Sequence, residues 1–194
     1  AVTGVQTCAL PILWRRASSD DPEFVAMFMD EARLAVRLNH PNIVQTNEVG
    51  KVGNQYFLSM EYLEGHPLNQ IIQKSQANKP LPPYFRYLIL RDVLNGLHHA
   101  HELCDFDGTP LQVVHRDVTP QNILVGRDGV TKLIDFGVAK ARGRSSSTTV
   151  EGQLKGKVAY MAPEQVSNGV LDRRCDLFAA GVVLYQLTTG HQIG

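Results

Sequence analysis

No lysine precedes Lys51 in this chain, and Gly4 is the only glycine before Gly50. That scarcity excludes from the first quarter of the sequence any glycine-rich anion-binding loop followed by a basic strand residue. Cysteine is also scarce. Cys8, Cys104 and Cys175 are widely scattered without metal-ligand spacing, which argues against a disulfide framework and fits a reducing compartment. Charge of one sign is missing too: 19 basic residues balance 19 acidic ones, so nothing in the composition points to nucleic acid or an anionic membrane surface. The longest apolar stretch, Leu177 to Leu187, contains a glycine and is too short to span a bilayer. At 194 residues the chain is long enough to fill one domain and bury a real core.

What is present is concentrated in one stretch. Val114-His115-Arg116-Asp117-Val118-Thr119-Pro120-Gln121-Asn122 is followed by two short apolar runs, Ile123 to Val125 and Val130 to Ile134. They are separated by Asp128-Gly129, a strong hairpin signal. Asp135-Phe136-Gly137 comes next, and that hairpin would return Asn122 and Asp135 to the same end. A carboxylate such as Asp117 can accept a hydroxyl proton, and an amide and a carboxylate oxygen suit a hard cation such as magnesium. A third block, Tyr160-Met161-Ala162-Pro163-Glu164, lies downstream.

These three blocks, in this order, resemble H-R-D-x-x-x-x-N, D-F-G and A-P-E of eukaryotic-like protein kinases, and their conjunction argues against coincidence. The resemblance runs from about Glu23 to about Gly190, and its wording is similar to bacterial serine/threonine kinases. It implies an α+β, protein-kinase-like bilobal fold using ATP and Mg2+. In that fold Asp117 is the catalytic base and positioner, and Asn122 and Asp135 are the metal ligands. Protein substrates bearing Ser or Thr hydroxyls and a cytoplasmic location are implied; the oligomeric state stays open. A tyrosine kinase usually carries Ala-Ala-Arg or Arg-Ala-Ala where this chain has Val118-Thr119-Pro120-Gln121. A small-molecule phosphotransferase usually lacks A-P-E. A pseudokinase or scaffold module is the alternative from another class. Thr119 favours it, because serine/threonine kinases usually place lysine there, and retention of Asp117, Asn122 and Asp135 opposes it.

Residues 1 to 12 resemble the translation of a sequencing adapter and are expected to lie outside the fold, as a scar; Gln192-Ile193-Gly194 is a weaker match of the same kind. Residues 13–61 are then expected to form part of a small lobe, and residues 62–194 part of a large lobe. The fold is expected to be incomplete at both ends, lacking the Gly-rich loop, the strand lysine and the last large-lobe helices, so that this stretch alone would be inactive.

Pro22 to Asn39 reads as a helix, with apolar residues at three- and four-residue steps. By the resemblance its Glu31 would pair with the strand lysine; an ordinary exposed carboxylate is the competing reading. Ile43 to Gly50 and Tyr56 to Glu61 read as strands. The next residues resemble the hinge, with Met60 as gatekeeper, Glu61 and Leu63 meeting adenine, and Leu124 also among the nucleotide-binding residues. Leu68 to Ser75 reads as a short helix. Tyr84 to Leu103 reads as a long one, with Phe85, Leu88, Ile89, Val93, Leu94 and Leu97 inward. His98, His99 and His101 near its end read as partly exposed residues favoured at a helix C-terminus rather than a metal cluster. The run Ser145-Ser146-Ser147-Thr148-Thr149 is a solvated loop by composition. By position it resembles an activation loop whose phosphorylation would pair with Arg116. Leu177 to Thr189 resembles a buried helix on which Asp176 accepts hydrogen bonds from the catalytic-loop backbone. Finally, Thr119 and Lys157 look exchanged relative to the family's lysine and threonine, with independent drift as the alternative. An exchange would bring the Lys157 ammonium beside Asp117.

Overall fold

The structure, a computed structural model, describes residues 11–13, 22–53, 55–77, 80–136, 157–167 and 169–193. It begins with β1 (Pro11–Leu13) and α1 (Pro22–Arg37). The expectation that residues 1 to 12 stand outside the fold is corrected at Pro11 and Ile12. They pair with Ser59 and Leu58 as an edge strand, a position where proline's missing N–H is tolerated. Three residues led by a proline carry no alternation that sequence reading could use.

Helix α1 buries Phe28 and Ala32, and Leu38 follows just beyond it. It stops two residues short of Asn39, because His40 precedes Pro41 and such a residue is pushed out of the helical region. In its last turn Arg37 donates to Cys104 O at 2.8 Å and to Asp105 Oδ1 at 3.0 Å, with its guanidinium 4.8 Å from the Phe106 ring centroid.

Strands β2 (Thr46–Val52) and β3 (Gln55–Met60) form a hairpin turned at Gly53, whose φ of 59° suits glycine. The antiparallel order is β1-β3-β2. β2 starts at Thr46 rather than Ile43, because the preceding residues pair elsewhere: Val44 N–H donates to Leu133 O and Leu133 N–H to Asn42 O, both at 2.9 Å. The Asn42 side chain adds a bond to Thr131 O at 2.9 Å. This segment therefore zips along a strand of the second sheet instead of extending the first.

The second sheet has the order β4-β5-β6, from Gly65–Pro67, Ile123–Gly126 and Thr131–Leu133. The sequence carries no strand signal at β4. Gly65 is required there, since a Cβ would sit 2.2 Å from Val125 O. The β5–β6 turn at Asp128-Gly129 forms as expected, with Gly129 at φ 84°.

Helix α2 spans Leu68–Ala77 and α3 spans Pro83–His101. Ile89, Val93, Leu97 and Ala100 of α3 are buried, but Phe85 and Leu94 are exposed, contrary to expectation. The inner stripe instead takes in Asp92 and Gly96. Gly96 lets the 42–44 segment approach, since a Cβ there would lie 2.8 Å from Asn42 O. A short α4 (Pro163–Val166) precedes α5 (Arg174–Thr189). Helix α5 begins a turn earlier than Leu177, so Asp176 lies inside its first turn; it ends at Gly190 in the left-handed conformation. Helix α3 packs on β6 and α5 packs on α3, around a core that includes Val93, Leu97, Val118, Ile123, Leu133, Ala180 and Val183.

Candidate active site

The catalytic-loop backbone is held by one carboxylate from α5. Asp176, fully buried, accepts from His115 N–H at 2.8 Å and from Arg116 N–H at 2.7 Å. His101 supplies a third contact, its Nε2 lying 2.8 Å from Asp176 Oδ2. The reading of His101 as a partly exposed helix-end residue is thus corrected: its side chain is 5% exposed and works on Asp176. Among the described residues no group of three or more His, Cys, Asp or Glu side chains could hold a metal ion, and His98, His99 and His101 form no such cluster.

Held in this way, Arg116 adopts φ 65°, and Asp135 adopts φ 59°. Left-handed backbone at a non-glycine residue costs about 1–3 kcal/mol and persists only where its surroundings impose it. Here the imposing groups are identifiable, at least for Arg116.

His115 is buried completely and links the two loops. Its Nε2 lies 3.1 Å from Ile134 O, so that nitrogen carries the proton, and its Nδ1 accepts from Asp117 N–H at 3.3 Å. The ring centroid is 4.4 Å from that of Phe136. Burial lowers the His115 pKa, against the opposing pull of Asp176, Asp135 and Asp117, and favours the neutral ring.

Asp117 is buried at the centre of the site. Asn122, in the 3₁₀ turn Pro120–Asn122, donates its Nδ2 to Asp117 O at 2.9 Å, which leaves the amide oxygen as its other polar group. Ile134 N–H donates to Asn122 O at 3.0 Å. The hairpin therefore brings Asn122 and exposed Asp135 to the same end. One amide oxygen and one carboxylate form a hard, incomplete donor set. It fits Mg2+, which is commonly bound by one or two carboxylates together with substrate phosphates.

Lys157 comes from the other side, placing its Nζ 2.8 Å from Asp117 Oδ2. Thr119 is buried, and its hydroxyl has no hydrogen-bond partner among the described residues. Gln165, which sequence reading left without a role, joins α4 to the loop: its Oε1 accepts from Ala162 N–H at 2.9 Å and its Nε2 donates to Arg116 O at 3.0 Å. Asp92 was likewise missed; buried on α3, it accepts from Thr131 N–H at 3.0 Å. A polar residue within an apolar helical stripe was the available signal.

Met60 is the last residue of β3, Glu61 and Leu63 lie between the two sheets, and all three are half-buried. Glu61 N–H is used on Gln45 O at 2.9 Å, so Glu61 has its carbonyl to offer a base. Its carboxylate accepts from Gln45 N–H at 2.8 Å and from Lys132 Nζ at 2.5 Å. Leu124, also half-buried, pairs with Lys132 and Pro67 on the neighbouring strands. Glu31 falls on α1, but its side chain is outside the described residues, as are Ser145, Ser146, Ser147, Thr148 and Thr149. Cys175 is no nucleophile: burial foremost, with the nearby carboxylates, pushes its thiol up to about 12.

The protein kinase domain family matches residues 7–193 of this chain. Tyrosine-protein kinase MasK of Myxococcus xanthus is 46% identical over 174 residues, 88% of this chain and 26% of the relative. Serine/threonine-protein kinase PknL of Mycobacterium tuberculosis is 39% identical over 183 residues, 94% of this chain and 43% of PknL. Serine/threonine-protein kinase PrkC of Bacillus subtilis is 37% identical over 172 residues, 89% of this chain and 25% of PrkC. The chain thus spans less than half the length of each of these relatives. With a buried aspartate, an amide and a second carboxylate converging at one hairpin end, and a match across nearly its whole length, this chain belongs to the protein kinase family.

Proposed function

We propose that this chain is the catalytic part of a serine/threonine protein kinase that transfers the γ-phosphoryl group of ATP to protein hydroxyls. The observation that carries the reading is Asp117. It is a buried carboxylate in a loop whose backbone is fixed by Asp176, with Asn122 bonded to its carbonyl. Asp117 accepts the hydroxyl's proton, the hydroxyl oxygen bonds to the γ-phosphorus, and the bond from that phosphorus to the ADP oxygen breaks. Asn122 and Asp135 would hold Mg2+, which when bound neutralises charge on the phosphates. Met60, Glu61, Leu63 and Leu124 line the place for adenine. Arg116 is the cation on which a phosphate at Ser145, Ser146, Ser147, Thr148 or Thr149 would dock. Three scattered cysteines are consistent with work in the reducing cytoplasm.

A tyrosine hydroxyl is the second reading, favoured by the name of the 46% identical relative. Phosphoamino-acid analysis of substrates labelled by the full-length protein separates the two: phosphoserine and phosphothreonine support the first, phosphotyrosine alone the second. Asp117→Asn is expected to lower kcat by about 10²–10⁴-fold with little change in nucleotide affinity. Nucleotide binding without any transfer by the wild-type protein would favour a pseudokinase scaffold.

A further inference from the structure

The Asp117 carboxylate carries a cation that the catalytic loop itself does not supply. Between Val113 and Phe136 the fixed cations are Arg116, Arg127 and Lys132. Lys132 is engaged by Glu61, and Arg127 by Glu64 at the far end of the β5–β6 hairpin. The ammonium at the reacting end is that of Lys157, 40 residues from Asp117 in sequence and 2.8 Å from its Oδ2. The Lys157 side chain is 34% exposed while that of Asp117 is 5% exposed, so the lysine reaches the buried carboxylate from the open side of the site. The second observation is Thr119. Two residues beyond the base, it is 2% exposed, and its hydroxyl pairs with no group among the described residues, a position that normally finds a partner.

We infer that Lys157 is a catalytic residue whose ammonium contacts the γ-phosphoryl group while bridging to Asp117, with the Thr119 hydroxyl completing the same polar cluster. This rests on the kinase reading above and deepens it. An ammonium has three N–H donors, of which the bond to Asp117 uses one. A phosphoryl group arriving in line with Asp117 meets the remaining two. The negative charge on its oxygens is met by a positive charge whose position is set by its bond to Asp117. Bonding to Oδ2 also fixes the orientation of the carboxylate that receives the hydroxyl proton. Lys157 remains an ammonium throughout, so atoms and charge balance as in the transfer already described. Because Lys157 lies three residues before Tyr160, and Tyr160 is anchored through its hydroxyl to Gln186 of α5, productive phosphate binding depends on how this segment is seated.

The test compares a nucleotide that has a γ-phosphate with one that lacks it. In the full-length protein, calorimetric affinities for Mg·AMPPNP and Mg·ADP are measured for wild type, Lys157→Thr, Lys157→Arg and Lys157→Thr/Thr119→Lys. Lys157→Thr is expected to weaken Mg·AMPPNP by about 10-fold or more, the worth of hydrogen bonds to a charged group, while Mg·ADP changes little. Lys157→Arg keeps the charge and retains the preference. The double variant, which places an ammonium at the buried position beside the base, recovers it and recovers much of a roughly 100-fold loss in kcat. Equal weakening of both nucleotides, or additive rather than compensating effects in the double variant, would overturn the assignment and make Lys157 a structural partner of Asp117. Wild-type protein that binds neither nucleotide would instead overturn the kinase reading on which it rests.

Discussion

The loop from His115 to Asn122 and the stretch from Met60 to Leu63 are secured by different means. From His115 to Asn122 the loop is held by buried Asp176 on two backbone N–H groups, half-buried Gln165 on the Arg116 carbonyl, and buried Asn122 on the Asp117 carbonyl. The stretch from Met60 to Leu63 is half-buried but for exposed Tyr62, and its described tethers are the pairing of Met60 with Thr46, two bonds between Glu61 and Gln45, and the Lys132–Glu61 ion pair. Phosphoryl transfer needs reacting groups held in line, whereas adenine is gripped by edge contacts that tolerate adjustment. The core follows the same division. Helices α3 and α5 bury their apolar stripes beneath the loop, while β2 is mostly exposed or half-buried.

Asp176→Asn should break the contrast most strongly. The amide keeps the shape but loses one acceptor and the charge, leaving at least one of the buried His115 and Arg116 N–H groups unsatisfied. An unfolding free energy lower by roughly 3 kcal/mol is expected, from about 1–3 kcal/mol per unmet buried group and the lost charge-assisted bond to His101. Chemical denaturation measures it; a loss well under 1 kcal/mol would mean that the loop is held by other contacts.

A smaller effect comes from His115. Burial lowers its pKa below the ordinary 6.5, so between that value and its folded pKa the unfolded chain binds more protons than the folded one. Stability contributed by the neutral ring is therefore present above about pH 6.5 and is lost as pH falls below it. Denaturation midpoints should fall on acidification through this range, and His115→Gln should flatten that part of the profile. An unchanged slope in the variant would assign the pH dependence elsewhere, with His40, also lowered chiefly by burial, as the next group to test.

The smallest effect is expected at the hinge. Lys132→Met removes an ion pair whose side chains are 18% and 29% exposed. Partly solvated pairs contribute about 1 kcal/mol or less, so stability should change by no more than that and the KM for ATP by no more than about fivefold. A loss as large as that of Asp176→Asn would erase the distinction between the two regions.

Much of the site was legible because its chemistry is local. Asp117 and Asn122 lie five residues apart in one loop, and Asp128-Gly129 closes the hairpin that returns Asp135 to Asn122. Turn chemistry and a period of two need no knowledge of the remainder of the fold. Periodicity also located α1 and α3 to within a turn at their ends, and α2 and α5 were placed as closely, α5 with the help of the family resemblance. It failed at Phe85 and Leu94, where hydrophobicity alone selected residues that face outward, and at β1 and β4, three residues each, too short to show alternation.

The sequence by itself determined which groups are available for chemistry: a carboxylate to receive a proton, an amide and a second carboxylate for a hard cation, and a lysine at the end of a separate segment. Tertiary structure decided which distant acceptors meet the buried backbone. Asp176 is 60 residues from Arg116, a bond that the family resemblance led us to expect and no local pattern does, and Asp92 is 39 from Thr131, a bond that neither announced. The reason is physical. Every buried N–H requires a partner, but the packing of α3 on the second sheet and of α5 on α3 selects which carboxylate is within 3 Å of it.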